Sequence, residues 1–223
     1  MSAAVIVAGL AVTVAGCGQV EMGAAAIVGS QRITIATLDT EVTNLSQAVR
    51  DYPSIINLSA TQETQDTLTW LVRFQINEEL ARQQGITIST AQAQTGLADI
   101  YAAAQSEAEQ EGLTNVTLNL IMAANGIPPN KYAELGRYEA IETQFARNVN
   151  NGTIPTSTSA QNATTREFDH AQCVAAKALK ILINPQFGRL DYATYLVVSA
   201  PVTVSRPEGP AAAPSLSGLA PAC

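Results

Sequence analysis

Apolar positions recur at helical spacing through most of this chain, and they crowd at strand-like density only towards its two ends. Ala24 to Thr34 (AAAIVGSQRIT) reads as a short strand rich in β-branched residues, broken at Gly29-Ser30. Val42, Leu45 and Val49 then fall three and four apart, which predicts a helix from about Thr37 or Asp39 to Arg50, ended by Tyr52-Pro53. The strongest helical pattern runs from Thr61 to Gln84. Leu68, Leu71, Val72, Ile76 and Leu80 make one stripe, with Trp70, Phe74 and Ala81 beside it, and Gly85 stands where a helix-ending glycine belongs. Ser89 or Thr90 caps a further helix carrying Leu97, Ile100, Tyr101 and Ala104 on one face, to about Glu111.

Beyond Gly112, the run Val116 to Ala124 predicts a short helix closed by Asn125-Gly126. Pro128-Pro129-Asn130 is a turn with helix-entry chemistry, and Lys131 to Asn148 follows as a helix with Leu135, Tyr138, Ile141, Phe145 and Val149 facing inwards. Asn150 to Thr165 is polar and reads as a linker, and Arg166 to Ala176 fits a helix ambiguously. Lys177 to Ile183, the turn Asn184-Pro185-Gln186-Phe187-Gly188, and Tyr195 to Val198 read as strand, turn, strand. Two strands do not stand alone in water, so the N-terminal strand at Ala26–Ile33 is their expected third partner. The fold class that follows is mostly α, with a small antiparallel β-sheet formed by N- and C-terminal strands.

Composition narrows the function. Nineteen acidic residues against twelve basic ones give a formal charge of −7, so there is no electrostatic case for nucleic-acid binding. Charged residues make up only 14% of the chain, their place taken by Gln, Thr, Asn and Ser, a surface that fits an exported protein. His170 is the only histidine, in Phe168-Asp169-His170-Ala171-Gln172-Cys173. One His, one Asp and one Cys fall short of the ligand sets zinc takes, so His170 reads as solvated or locally hydrogen-bonded. No metal and no cofactor is expected. Glu78-Glu79 and Glu139/Glu142 read as solvated helix faces, and no phosphate loop or nucleophile elbow occurs.

The apolar run from Ala3 to Ala15 ends in Val14-Ala15-Gly16-Cys17. It is too short to span a bilayer but suits a signal-peptide core, although no Lys or Arg precedes it. The motif resembles a bacterial lipobox. That resemblance implies a signal peptide over residues 1–16, a lipidated Cys17 with a tether to residue 23, and a place on the extracytoplasmic face of the cell membrane. Cys173 and Cys223 are then left in an oxidising compartment. A disulfide between them, favoured over two free thiols, would tie the Pro/Ala/Ser/Gly tail of residues 206–223 to the body and contribute about 3–4 kcal/mol.

The stretch AIVGSQRITIATLDTEV, then LTWLVRFQINEELARQQGITISTAQ, resembles the N-terminal chaperone segment of SurA-like and PrsA-like extracytoplasmic foldases. There a strand with a "VG…IT" element leads into a helix, and a long helix closes with a pattern matched here by Ala81, Gly85, Ile86, Ile88 and Ser89. NGIPPNKYAELGRYEAIETQFAR resembles the family's later turn and helix, and LINPQFGRLD a strand-turn of its actinobacterial members, so the likeness covers residues 24 to about 200 and implies a chaperone domain over 24–205. It implies a SurA N-terminal/trigger-factor-like domain. The family's parvulin prolyl-isomerase domain would sit where this chain has only Asn150–Thr165, so the resemblance implies the chaperone portion without the isomerase. The implied function is a membrane-anchored holdase for unfolded or extended exported polypeptides, not an enzyme. Its client contacts would come from Trp70, Phe74, Leu71, Tyr101 and Tyr138, if that apolar face lines a groove and not simply the core. The alternative is a non-catalytic scaffold or subunit of a specific cell-envelope complex.

Overall fold

The computed structural model describes residues 22–110 and 112–200. Cys17, Cys223, the signal-peptide segment and the tail lie outside them. The described residues are mostly helical, with small antiparallel sheets built by strands from both ends.

The segment Ala24 to Thr34 is a hairpin instead of one strand. β1 (Ala24–Val28) turns at Gly29-Ser30 into β2 (Gln31–Thr34), and Gly29 takes a positive φ of 61° that a side chain would strain. A Cβ there would also sit 2.8 Å from a Leu179 methyl, so the turn is pressed against the end of a helix. Thr34 caps α1 (Ile35–Asp51), its hydroxyl accepting from the Thr37 N–H at 3.0 Å. Ser59 and Gln62 form a reciprocal capping box at the start of α2 (Ala60–Gln83). α2 is the central pillar. Leu68, Val72, Ile76 and Leu80 are almost wholly buried in the main core, and Phe74 faces a second cluster.

Ser89 and Gln92 make the same reciprocal bonds ahead of α3 (Thr90–Gln110). α4 (Leu118–Ala124) packs on α1 through Leu120 and Ala123. A 3-10 turn at Pro129–Lys131 feeds α5 (Tyr132–Val149), which lies along α3. That crossing is close because both helices carry glycine at the contact. A Cβ on Gly136 would stand 2.3 Å from the Ala93 carbonyl oxygen, and one on Gly96 2.6 Å from the Gly136 oxygen.

α6 (Thr158–Leu179) overturns two expectations. The Asn150–Thr165 linker is half helix, because Ser157 caps Ala160 and Phe168, Ala171, Ala175 and Ala176 bury one face from there on. Lys177 to Leu179 are likewise the end of α6 and not a strand. Ala176 and Leu179 continue the buried helical face, and Lys180 stops it in the left-handed region at φ 48°.

Only β3 (Leu182–Ile183) remains of the strand expected there. It pairs antiparallel with β1, giving the order β2-β1-β3. Asn184 reinforces the closure: its N–H donates to Ala25 O at 2.9 Å and its side-chain amide to Ala24 O at 3.0 Å. The Tyr195–Val198 strand does not join that sheet. β5 (Leu196–Val198) pairs with β4 (Arg189–Asp191), and the Val197 N–H donates to the α2 hydroxyl of Thr69 at 2.8 Å. Gly188, at φ 128°, admits Val198: a Cβ would lie 2.3 Å from its carbonyl oxygen. Among the described residues no helix is long and apolar enough to cross a membrane.

Candidate functional site

Helical spacing sets Trp70 and Phe74 one turn apart on α2, and the packing of α5 brings Tyr138 between them. The ring centroids lie 5.6 Å (Trp70–Phe74), 5.7 Å (Trp70–Tyr138) and 6.3 Å (Phe74–Tyr138) apart, in tilted and edge-on arrangements. Phe74 and Tyr138 are buried, and Trp70 is half-buried with its indole N–H donating to Asn125 O at 2.9 Å. The Arg73 guanidinium stacks over the Trp70 ring at 4.7 Å. Behind the rings a buried amide network joins α2, α5 and α6. Gln172 Nε2 donates to Asn77 Oδ1 at 3.1 Å and to the Tyr138 hydroxyl at 3.2 Å, while Asn77 Nδ2 donates to Tyr138 O at 3.2 Å. Burial pushes the Tyr138 hydroxyl above its ordinary pKa.

Three of the five sequence-derived contact residues therefore converge, but as a closed cluster. Leu71 packs on the main core instead. Tyr101 stands apart on α3, its hydroxyl donating to Val116 O at 3.1 Å beside a shallow cavity of about 490 Å³.

An open apolar concavity lies elsewhere, between the end of α5 and the middle of α6, with the α2 cap residue Gln84 at one side. Its volume is about 550 Å³. Phe145, Val149, Ala163, Ala171 and Val174 supply its apolar lining, and Arg166, Glu167 and His170 its polar rim. Phe145 is backed by Phe168, edge-on with ring centroids 5.4 Å apart, so the floor is aromatic and closely packed. Val149 and Val174 remain 37% and 41% exposed, which is why this groove and not the aromatic cluster presents apolar surface to solvent. His170 is exposed on the rim, and among the described residues no three His, Cys, Asp or Glu side chains gather as a metal site. Such a lining binds by apolar contact, with donors and an acceptor at its edge to orient a ligand.

The paired carboxylates divide differently from expectation. Glu78 holds the Arg137 guanidinium in a two-bond pair (Nη2 to Oε2 at 2.9 Å), and Arg137 Nη1 donates to Ile88 O at 3.0 Å, locking α5 to α2 and to the link ahead of α3. Glu79 pairs within its own helix with Arg82. Glu139 is not a solvated side chain: it lies half-buried against α3, and burial, reinforced by Glu142 and Asp99, pushes its carboxyl up to about 7. Cys173, 7% exposed on α6, is disulfide-bonded, and the chain's other two cysteines, Cys17 and Cys223, lie outside the described residues.

The groove escaped sequence reading because Ala163 falls in the stretch read as linker and the rest of its α6 wall in the ambiguous stretch Arg166 to Ala176. The available signal was the run Ala163, Glu167, His170, Ala171, Val174, which keeps three-and-four spacing across that boundary. No protein-family profile, curated protein or solved structure matches this chain.

Proposed function

We propose that this chain is a SurA-like chaperone domain lacking the isomerase module, which holds unfolded or extended exported polypeptides and catalyses no reaction. Lipid on Cys17 would anchor it at the extracytoplasmic face of the cell membrane. The observation that carries the reading is the open apolar groove between α5 and α6, with Val149 and Val174 exposed beside the packed Phe145–Phe168 pair. Two features of the fold support it further. The groove adjoins the 150–157 connection, the point at which members of the resembled family carry their parvulin insertion. Strands from the first and the last quarter of the described residues also meet in one sheet through β1 and β3, closing the helices into a body without that insertion.

A holdase of this kind works by weak apolar contact. Covering two exposed valine side chains contributes on the order of 1 kcal/mol each, so affinity accumulates only when an extended segment spans the whole groove. Broad client choice follows, since methyl and methylene contacts carry little directional information.

The test is suppression of aggregation of several unrelated unfolded proteins at stoichiometric amounts. The native chain suppresses it, and V149D/V174D, altered only at exposed positions, loses most of the effect while keeping its helical circular dichroism. Equal suppression by the variant removes the groove from the account. No suppression by either chain, with one stable partner recovered on pull-down, replaces the holdase with a scaffold.

A further inference from the structure

We infer that α3 is a hinged lid over a second apolar binding face, the cluster of Trp70, Phe74, Leu135 and Tyr138, and that the Glu139 carboxyl beneath it sets when the lid lifts. The claim does not depend on the α5–α6 groove being a polypeptide site. Three observations carry it.

The first is what α3 covers. Leu97 and Ile100, three residues apart on one face of α3, pack against the cluster of Phe74, Leu135 and Tyr138, as Trp70 does. Both are only partly buried, so α3 lies over the aromatic face as an outer layer. A ligand that takes the place of α3 must offer what α3 offers there, aliphatic side chains of about leucine size. That is the chemistry of an apolar polypeptide segment.

The second is how α3 is held. In the link ahead of it, Ile86 and Ile88 are buried in the main core, and Arg137 Nη1 donates to Ile88 O at 3.0 Å. That end is the pivot. The other end reaches Gly112, at φ 75°, where a side chain would meet nothing within 4 Å. Between them α3 lies along α5, touches α4, and has its Tyr101 hydroxyl bonded to Val116 O at 3.1 Å. Its fully buried residues are Gly96 and Ala108, whereas α2 buries Leu68, Val72, Ile76 and Leu80. Lifting α3 therefore gives up far less apolar burial than displacing α2.

The third is an acid at the crossing. A Cβ on Gly96 would stand 3.3 Å from the Glu139 Cβ, so the Glu139 side chain leaves α5 where the two helices are closest. The charged groups facing it are Asp99 from α3 and Glu142 from α5, both acids. Arg73 of α2 and Asp169 of α6 face Glu142, and Glu78 of α2 is taken up by Arg137. Burial under α3 pushes the Glu139 carboxyl up to about 7, and lifting α3 returns it towards the ordinary 4.5. The closed state is the one that binds the proton, so the lid is held shut below about pH 4.5 and loosens as pH rises through 7. Between pH 5 and pH 8 the opening equilibrium shifts on the order of 70-fold.

The experiment follows amide hydrogen exchange of the full chain at pH 5 and pH 8, each rate divided by its intrinsic value. Residues 90–110 are at least tenfold less protected than α2 and α6 at both pH values, the mark of an opening of their own. Their protection falls on the order of 70-fold between the two. Energy transfer from Trp70, the chain's single tryptophan, to anilinonaphthalene sulfonate rises over the same range. Glu139→Gln, neutral at both pH values, shows neither change. Equal protection of α3, α2 and α6, a protection of α3 that does not change with pH, or the same pH response in Glu139→Gln overturns the lid. Opening of α3 without the rise in energy transfer overturns the binding face beneath it.

Discussion

The α3–α5 crossing offers the sharpest test of the fold that holds the groove's α5 wall. Replacing Gly136 by Ala adds one methyl whose nearest neighbours are the Ala93 carbonyl oxygen at 2.3 Å, Leu97 Cβ at 2.9 Å and the Ala93 carbonyl carbon at 3.2 Å. Non-bonded carbons rest about 3.5–4.0 Å apart, so the helices must part by about 1 Å. Two of the three neighbours are backbone and cannot rotate away. Overpacking of this kind costs about 1–3 kcal/mol, and a backbone clash sits at the upper end. Alanine returns about 1 kcal/mol of helix propensity over glycine. The net expectation is a loss of about 2 kcal/mol, or about 4–8 °C in Tm for a domain of this size. Gly96 and Ala108 are the fully buried residues of α3, and Ala93, Leu97 and Ile100 pack partly buried against the body beside them, so parting the crossing loosens those contacts as well. Urea unfolding followed by Trp70 fluorescence and circular dichroism measures the change, with Ala102→Gly on the exposed face of α3 as the propensity control, losing about 1 kcal/mol. A Gly136→Ala chain that gains about 1 kcal/mol refutes the close crossing, because propensity alone would then be operating.

Glu139 makes stability depend on pH. Its folded pKa of about 7 stands above the ordinary 4.5, so the fold prefers the protonated carboxyl, and stability from this group is full below about pH 4.5 and falls as pH rises through 7. The loss is on the order of 2–3 kcal/mol, and Glu139→Gln should remove that slope and be the more stable chain at pH 8 in urea titrations. At the start of α5, Lys131 Nζ lies 3.0 Å from the buried Glu41 carboxylate. Lys131→Met strands that charge and should cost about 2–3 kcal/mol, most of it regained in E41L/K131M; an unchanged midpoint in the single variant contradicts the pairing. Cutting the closure at Asn184 with Asn184→Ala should cost about 1–2 kcal/mol, read as faster hydrogen exchange in β1, since its side-chain amide no longer caps Ala24 O.

Much of the helical framework was legible in the chain because local chemistry and tertiary packing agree there. Ser59 with Gln62 and Ser89 with Gln92 announce α2 and α3, and the Leu68–Leu80 stripe announces the core. The misreadings have physical causes. Lys177 to Ile183 carries aliphatic residues that suit either state, and the helix stops at a lysine in the left-handed region where glycine is the usual signal. Residues 158–165 are rich in Thr, Ser and Asn, poor helix formers that the buried face of α6 overrides. Trp70 and Phe74 were legible as one stripe and Tyr138 as an inward position of another helix, but not their meeting in one cluster, since pattern alone does not say what covers an apolar face. The glycines at 96 and 136 become meaningful only once two helices are seen to cross at them.

The groove's role is tested most directly by following the methyl resonances of Val149 and Val174 while an unfolded, carboxymethylated polypeptide is titrated into the native chain. The account predicts saturable shifts centred on those two methyls and on Ala163 and Ala171. Shifts confined to other surfaces, or none at all, contradict it.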